Sequence, residues 1–309
     1  MEMLFIPFSF EWIQFQGTMV FWLSLLLILA VFCFLIHKRY PLPILRILFH
    51  WLRWLAFACC FSWILKSGFG SLRPDWLHFI TGLALWFIIE TLIYRISIQL
   101  LNHSEMNLFP QFSSDHAGNL WPIQARAMEV KKILSELGFR SIGNVKAQIH
   151  DHLTVRQALF LNTTQTVRLS VLFIPNTNNR VQLYFSFYSL SQSNKQYITD
   201  NQNMPYGGYY PDHWSVQRYP LCHSLKTLHK QHLRRMDQSD QDWVCLEEQN
   251  TVVFSLNQNQ RELELKNREM GFLLDSSRKE GKQISANGCF RIWTEMWLLA
   301  YFGRTIPAR

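Results

Sequence analysis

The run from Thr18 to Ile36 most constrains this chain: nineteen residues without a charge, ended abruptly by His37, Lys38 and Arg39. At a helical rise of about 1.5 Å per residue, such a run crosses a bilayer core of about 30 Å. A helix buried in a soluble core would keep a polar stripe, and this one has none. The run therefore predicts a membrane span over 18–36. Before it, Glu2 and Glu11 are the only charges, and the basic region and small-residue cleavage site of a signal peptide are missing, so the run reads as a retained anchor. Phe5, Phe8, Phe10, Trp12 and Phe15 crowd this opening segment, a density of rings that favours the membrane interface.

Two further apolar runs follow. Ile44 to Leu65 carries Arg46, His50 and Arg53 at i, i+4 and i+7, one stripe of a helix. Either the helix spans, with its arginines reaching back to the interface beside Trp51 and Trp54, or it lies in the interface plane. The uncharged stretch Leu55 to Leu65, closed by Lys66, fits a span over about 47–65. After a turn region with Gly68, Gly70 and Pro74, Trp76 to Tyr94 predicts a third span whose one charge is Glu90. A carboxylate at such depth needs a partner. With alternating helices Glu90 and Arg53 fall near the same membrane face, which predicts a structural Arg53–Glu90 ion pair. A proton or ion relay would need more polar residues than His78, Thr81 and Thr91 supply.

Sidedness follows from the basic residues near the spans. Lys38, Arg39, Arg46 and Arg53 flank the first connection, whereas the segment before the first span has no Lys or Arg. Three spans then place the N-terminus outside and the rest of the chain in the cytoplasm, at the cell (inner) membrane. Two spans would place it outside. Cys222, Cys245 and Cys289 cannot all pair with one another, which favours a reducing compartment.

The expected division is a membrane region over 1–101, a linker over 102–120 rich in Ser, Asn, Gly and Pro, and a soluble α+β domain over 121–309. Residues 102–309 carry 23 Lys/Arg and 18 Asp/Glu, a mixture too even for nucleic acid, which calls for basic residues gathered on one face. Apolar spacing predicts helices over 123–137, 224–236 and about 258–274. Alternation predicts strands over 144–149, 155–161, 167–173 and 181–187, with Pro175 to Asn179 as a hairpin turn. Together these give an antiparallel β-meander packed by helices. Ala286 to Phe302 predicts a last helix, apolar almost all round. It is either the most buried helix of the domain or one docked on the membrane, with Trp293 and Trp297 as interfacial anchors; Arg304 and Arg309 favour docking.

Candidate chemistry is confined to histidines. His150 and His152 share one side of a strand, and His229 and His232 share one face of a helix, so the two pairs offer up to four metal ligands. Against this, no HExxH motif accompanies them and the chain holds eleven histidines. Lys226, Lys230, Arg234 and Arg235 lie on one broad helical face, either solvated or set against anionic lipid headgroups. Tyr206, Tyr209 and Tyr210 in the YGGYYP segment line a ligand site or cap the sheet. No nucleophile elbow, P-loop or dinucleotide motif occurs, and no cofactor is implied. These features suggest a membrane-anchored cytoplasmic domain that binds or scaffolds something, with the lipid bilayer as its first partner and a protein or a second copy as a further one. The alternative is a membrane-bound metal-dependent enzyme using the histidine cluster.

Overall fold

The computed structural model describes residues 10–39, 42–115, 121–151, 153–175, 181–246, 250–274 and 283–307. Contacts divide the chain into two compact units, Met1–Ile96 with Ala300–Gly303, and Ser97–Leu299 with Arg304–Arg309.

The first unit is helical. Helix α1 (Phe10–Arg39), α2 (Pro43–Ser67) and most of α3 (Asp75–Asn102) form it, and all three are long and apolar enough to cross a membrane. Pro43 opens α2, where its missing N–H costs no intrahelical bond, and Gly68 follows its last residue. Helix α1 meets α2 through Ala30, Cys33 and Leu52, with the Phe34 and Phe49 rings 5.8 Å apart. Helices α2 and α3 approach more closely. A Cβ on Gly82 would stand 2.9 Å from the Ala58 Cα, and Ala58 is wholly buried. Small residues at such a crossing let two helix backbones approach closely. At the far end of α2, Lys66 pairs with Asp75 at 2.6 Å.

The second unit is built on a seven-stranded sheet: β1 (Phe112–Ser114), β2 (Arg140–His150), β3 (Leu153–Leu161), β4 (Arg168–Pro175), β5 (Val181–Leu190), β6 (Gln196–Asp200) and β7 (Trp214–Arg218), in spatial order of sequence. From β1 to β6 every pairing is antiparallel. The last departs from the expected meander, because β7 joins β6 in parallel, Gln196 facing Trp214 and Asp200 facing Arg218. Strand β1 falls in the stretch expected to be a linker, and the turn expected over 175–179 lies, beyond Pro175, outside the described residues.

Alternation sorts the sheet residues onto two faces. On one, Phe160, Leu169, Val171, Phe173, Phe185 and Phe187 meet α4 (Ala125–Glu136) through Ala127, Val130 and Leu134, and α5 (Leu225–Asp237) through Leu225, Leu228 and Met236. Burial of side chains this size contributes about 1.5–3 kcal/mol each. Helix α5 starts at Ser224, whose hydroxyl accepts the Thr227 N–H. The other face carries Ile142, Val145, Leu159, Leu161 and Tyr188, covered by α6 (Asn250–Glu269) through Val252, Val253 and Leu256. Those contacts explain why α6 begins eight residues before the expected 258: apolar burial continues the helix backwards. Helix α7 (Ala286–Phe302) has the expected bounds, and its last turn belongs to the first unit.

A parallel pair needs a crossover of a dozen or more residues, usually a helix. Here residues 201–213 make it without one, as an irregular strap. Gly207 lies on it at φ +67°, where a Cβ would stand 2.8 Å from the Ile292 backbone nitrogen. Gly271 has the same φ with nothing within 4 Å. Gly207→Ala is expected to cost about 2 kcal/mol or more, and Gly271→Ala about 1 kcal/mol, the difference being the clash. Thermal unfolding of the two purified variants checks the order.

Candidate functional site

Three buried polar nodes are built from residues far apart in sequence. The first lies in the helical unit. Trp86, Glu90 and Tyr94 recur every fourth residue on one face of α3. The Glu90 carboxylate, 3 % exposed, receives four donors: Arg53 Nη2 at 2.8 Å and Tyr94 Oη at 3.0 Å on Oε1, Trp86 Nε1 at 3.0 Å and the Tyr301 hydroxyl on Oε2. Tyr301 is boxed by rings, edge-on to His50, Trp51 and Trp54 at 5.7, 5.3 and 5.2 Å, and its carbonyl accepts the Trp51 indole N–H at 2.9 Å. A carboxylate has about four acceptor positions, and all are filled. Arg53 and Glu90 thus form a hydrogen-bonded ion pair, with two phenols and an indole completing the acid's shell.

The second node holds the strap. Arg218 Nη1 donates to Glu295 Oε1 at 2.5 Å, and Nη2 donates to the Gln202 and Met204 carbonyls at 3.0 and 2.6 Å. Glu295 Oε2 accepts the backbone N–H groups of Tyr206 and Gly207. Asn267 on α6, wholly buried, accepts the Tyr209 N–H at 2.8 Å and donates to the Tyr206 hydroxyl and the Tyr209 carbonyl, both at 2.9 Å. Arg291 donates to the Gly207 carbonyl at 2.6 Å and lies 3.9 Å over the Tyr209 ring. A crossover without helix leaves backbone groups that must find partners, and these side chains supply them. Tyr206 and Tyr210 are packed into this node, and burial pushes both phenols above their ordinary range.

Asp200 stands beside this node, 3.6 Å from Arg218 Nε. Burial outweighs the guanidinium and pushes its carboxyl up to about 6.

The third node lies beneath α5. His232, wholly buried, has Nε2 3.0 Å from Ser189 Oγ and Nδ1 2.9 Å from Thr199 Oγ1. Ser189 donates to the Thr166 carbonyl at 2.8 Å and is itself wholly buried. Burial, helped by nearby Arg235, holds His232 down to about 3, so the ring is neutral at physiological pH. A serine and a histidine in contact suggest a nucleophile and its base, but no exposed surface on either admits a substrate.

The residues singled out by sequence fall as follows. His229 packs against Phe187 and Phe139 with ring centroids 5.2 and 5.3 Å away. Phe139 precedes the first residue of β2 while His150 ends that strand, so the two histidine regions are roughly 30 Å apart at about 3.3 Å per residue. His152 lies outside the described residues. Among the described residues no group of three or more His, Cys, Asp or Glu is placed to hold a metal ion. On α5, Lys226 pairs with Glu136 at 2.9 Å, and Lys230 and Arg234 are exposed. Arg235 instead turns inward, donating to the Ile198 and Ser215 carbonyls at 2.6 and 2.7 Å. Trp293 and Trp297 are half-buried and meet edge to face along one side of α7, their centroids 6.5 Å apart, beside Phe290 at 62 % exposure. No protein-family model, no curated protein and no solved structure matches this chain.

Sequence reasoning missed Tyr301, Glu295 and Arg218. Trp86 and Tyr94 were detectable from their spacing to Glu90, whereas no local signal pairs residue 90 with residue 301.

These nodes and Asp200 generate three predictions. Tyr301→Phe is expected to lower stability by about 1.5–3 kcal/mol, the range for a hydrogen bond to a charged group. The exchange of Arg53→Glu with Glu90→Arg is expected not to recover the stability that either single change loses, because the Trp86 indole donates only and would face a guanidinium. Denaturation of both variants in the same detergent measures this. For Asp200, a folded-state value of about 6 lies above its unfolded value, so protons bind the folded chain more tightly. Its contribution is present below about pH 4 and lost as pH rises through about 6. Asp200→Asn is expected to flatten stability across that window and to stabilise the chain at pH 8, read from melting curves at both pH values.

Proposed function

We propose that this chain is an integral protein of the cell (inner) membrane, held by three spans with its N-terminus outside, whose α+β domain lies in the cytoplasm and binds or scaffolds a protein partner or a second copy at the bilayer. Basic residues concentrated around the connection between α1 and α2 support the orientation, since such residues are retained on the cytoplasmic side. Trp293 and Trp297 are suited to the interface, where an indole keeps an apolar body and a polar edge.

One observation favours binding over catalysis. The ionisable groups that catalysis would use are engaged by the protein itself: Glu90 by four donors, Glu295 by Arg218 and two backbone N–H groups, and His232 by two hydroxyls. The metal-dependent alternative draws no support from His232, whose ring nitrogens are both occupied. Binding through a folded surface needs no such group.

Cys245 is exposed and reports the domain's side of the membrane. A membrane-impermeant thiol reagent, read at Cys245 by peptide mass spectrometry, is expected to label it only in permeabilised cells. Labelling in intact cells would overturn the cytoplasmic placement, and stoichiometric metal in the purified chain, lost in His229→Ala, would replace scaffolding by the enzyme.

A further inference from the structure

We propose that α7 is a half-embedded membrane helix, which enters one leaflet at a slant with its Phe290–Trp293–Trp297 side against lipid. The proposal rests on the three-span anchor and adds to it a fourth element and the depth at which that element lies. Only two residues of α7 are charged, Arg291 and Glu295, one turn apart on one side of the helix. Both are engaged by the strap and its support: Glu295 accepts from Arg218 and from two strap N–H groups, and Arg291 donates to the Gly207 carbonyl. The opposite side carries no charge. There Phe290, Trp293 and Trp297 recur at i, i+3 and i+7; Phe290 is 62 % exposed and the two indoles are half-buried. Thr294 beside them turns its hydroxyl back onto the Phe290 carbonyl at 2.9 Å, which withdraws a polar group from that surface.

Helix α7 is tied to α3 near each of its ends. In the second unit, Asn102 at the end of α3 clamps the segment that opens α7. Its Oδ1 accepts the Gln283 and Ile284 N–H groups at 2.9 and 2.6 Å, and its Nδ2 donates to the Ile284 carbonyl at 3.1 Å. Ile98 of α3 is buried in one apolar cluster with Ile292, and Trp293 and Met296 pack against that cluster. In the first unit, the Tyr301 hydroxyl donates to Glu90, and Phe302 in the same turn is 55 % exposed.

Depth along α3 then assigns the surroundings of α7. Asp75, paired with Lys66, marks one membrane face. Glu90 is fifteen residues further on, about 22 Å at about 1.5 Å per residue, and so lies inside a hydrocarbon core of about 30 Å. Asn102 is twenty-seven residues from Asp75, about 40 Å, which is past the core and among the headgroups. Helix α7 therefore starts at headgroup level and ends within the hydrocarbon. A helix can do so because its backbone groups bond one another. Trp293 and Trp297 fall between these levels, at the interface that indole rings favour. An uncharged aromatic side at that depth meets lipid rather than water.

The test places the photo-crosslinking residue p-benzoylphenylalanine at Phe290 or at Trp297 of the full chain, reconstituted in phosphatidylcholine vesicles, and reads the intact mass after irradiation. Both positions are expected to gain the mass of a phospholipid. Phe32 of α1, 59 % exposed, is the reference for the anchor and is expected to gain it too. Met204, exposed on the strap, is the control on the charged side of α7 and is expected to gain none. Absence of the adduct at Phe290 or at Trp297, while Phe32 keeps it, overturns the proposal and leaves the anchor standing. A crosslinked dimer at Phe290 in place of the lipid adduct also overturns it, and assigns that side to a second copy. Adducts at Met204 as abundant as those at Phe290 overturn it as well, because the contact would then be unselective. No adduct at Phe32 sinks the anchor, and the proposal with it.

Discussion

A carboxylate taken out of water must be surrounded by donors, and Glu90 and Glu295 set this requirement for the two units. Leaving a buried charge uncompensated costs about 3–5 kcal/mol, a large fraction of the stability of a domain. Each acid is therefore an organising centre. Glu90 recruits α2 through Arg53, its own helix through Trp86 and Tyr94, and the last turn of α7 through Tyr301. Glu295 recruits β7 through Arg218 and the strap through two backbone N–H groups. Apolar packing supplies most of the stabilisation in both units but is tolerant of position. The acids are not, because hydrogen bonds to a carboxylate need short distances and aligned donors.

The elements legible in sequence were those with strong periodicity. The apolar run ending at His37 is uncharged all round, β4 and β5 alternate cleanly, and Ala286 to Phe302 is delimited by its composition. Each is a local signal. Strands β6 and β7 were not legible, for a physical reason. β6 is five residues, QYITD, and buries four of them, so neither face shows alternation. β7 pairs in parallel, and nothing in a short sequence announces the partner of a parallel strand. Strand β1 is three residues within a polar stretch that reads as linker.

The candidate sites divide in the same way. Arg53 and Glu90 stood out because charges in apolar runs are rare and their depths match. The basic helix α5 misled, because a helical wheel assigns Arg235 to the same broad face as Lys226, whereas packing turns Arg235 into the sheet to answer two carbonyls. His229 and His232 share a face as expected, but that face is the core side, where one ring stacks on Phe187 and the other satisfies two hydroxyls. Spacing shows which residues lie together on an element. It does not show which side of the element is inward.

The Tyr301–Glu90 contact joins residues 211 positions apart, which bears on the order of events during synthesis. At about 5–20 residues per second, a ribosome adds the intervening chain in roughly 10–40 s. Throughout that interval the third apolar helix holds an acid whose shell lacks one phenol. The helical unit can settle fully only once the last turn of α7 has been made and delivered. A nascent chain that stops short of residue 301 leaves that carboxylate incompletely clothed. Synthesis of α7 is thereby written into the apolar unit itself, and a product that stops before residue 301 differs from one that passes it in a segment made long before.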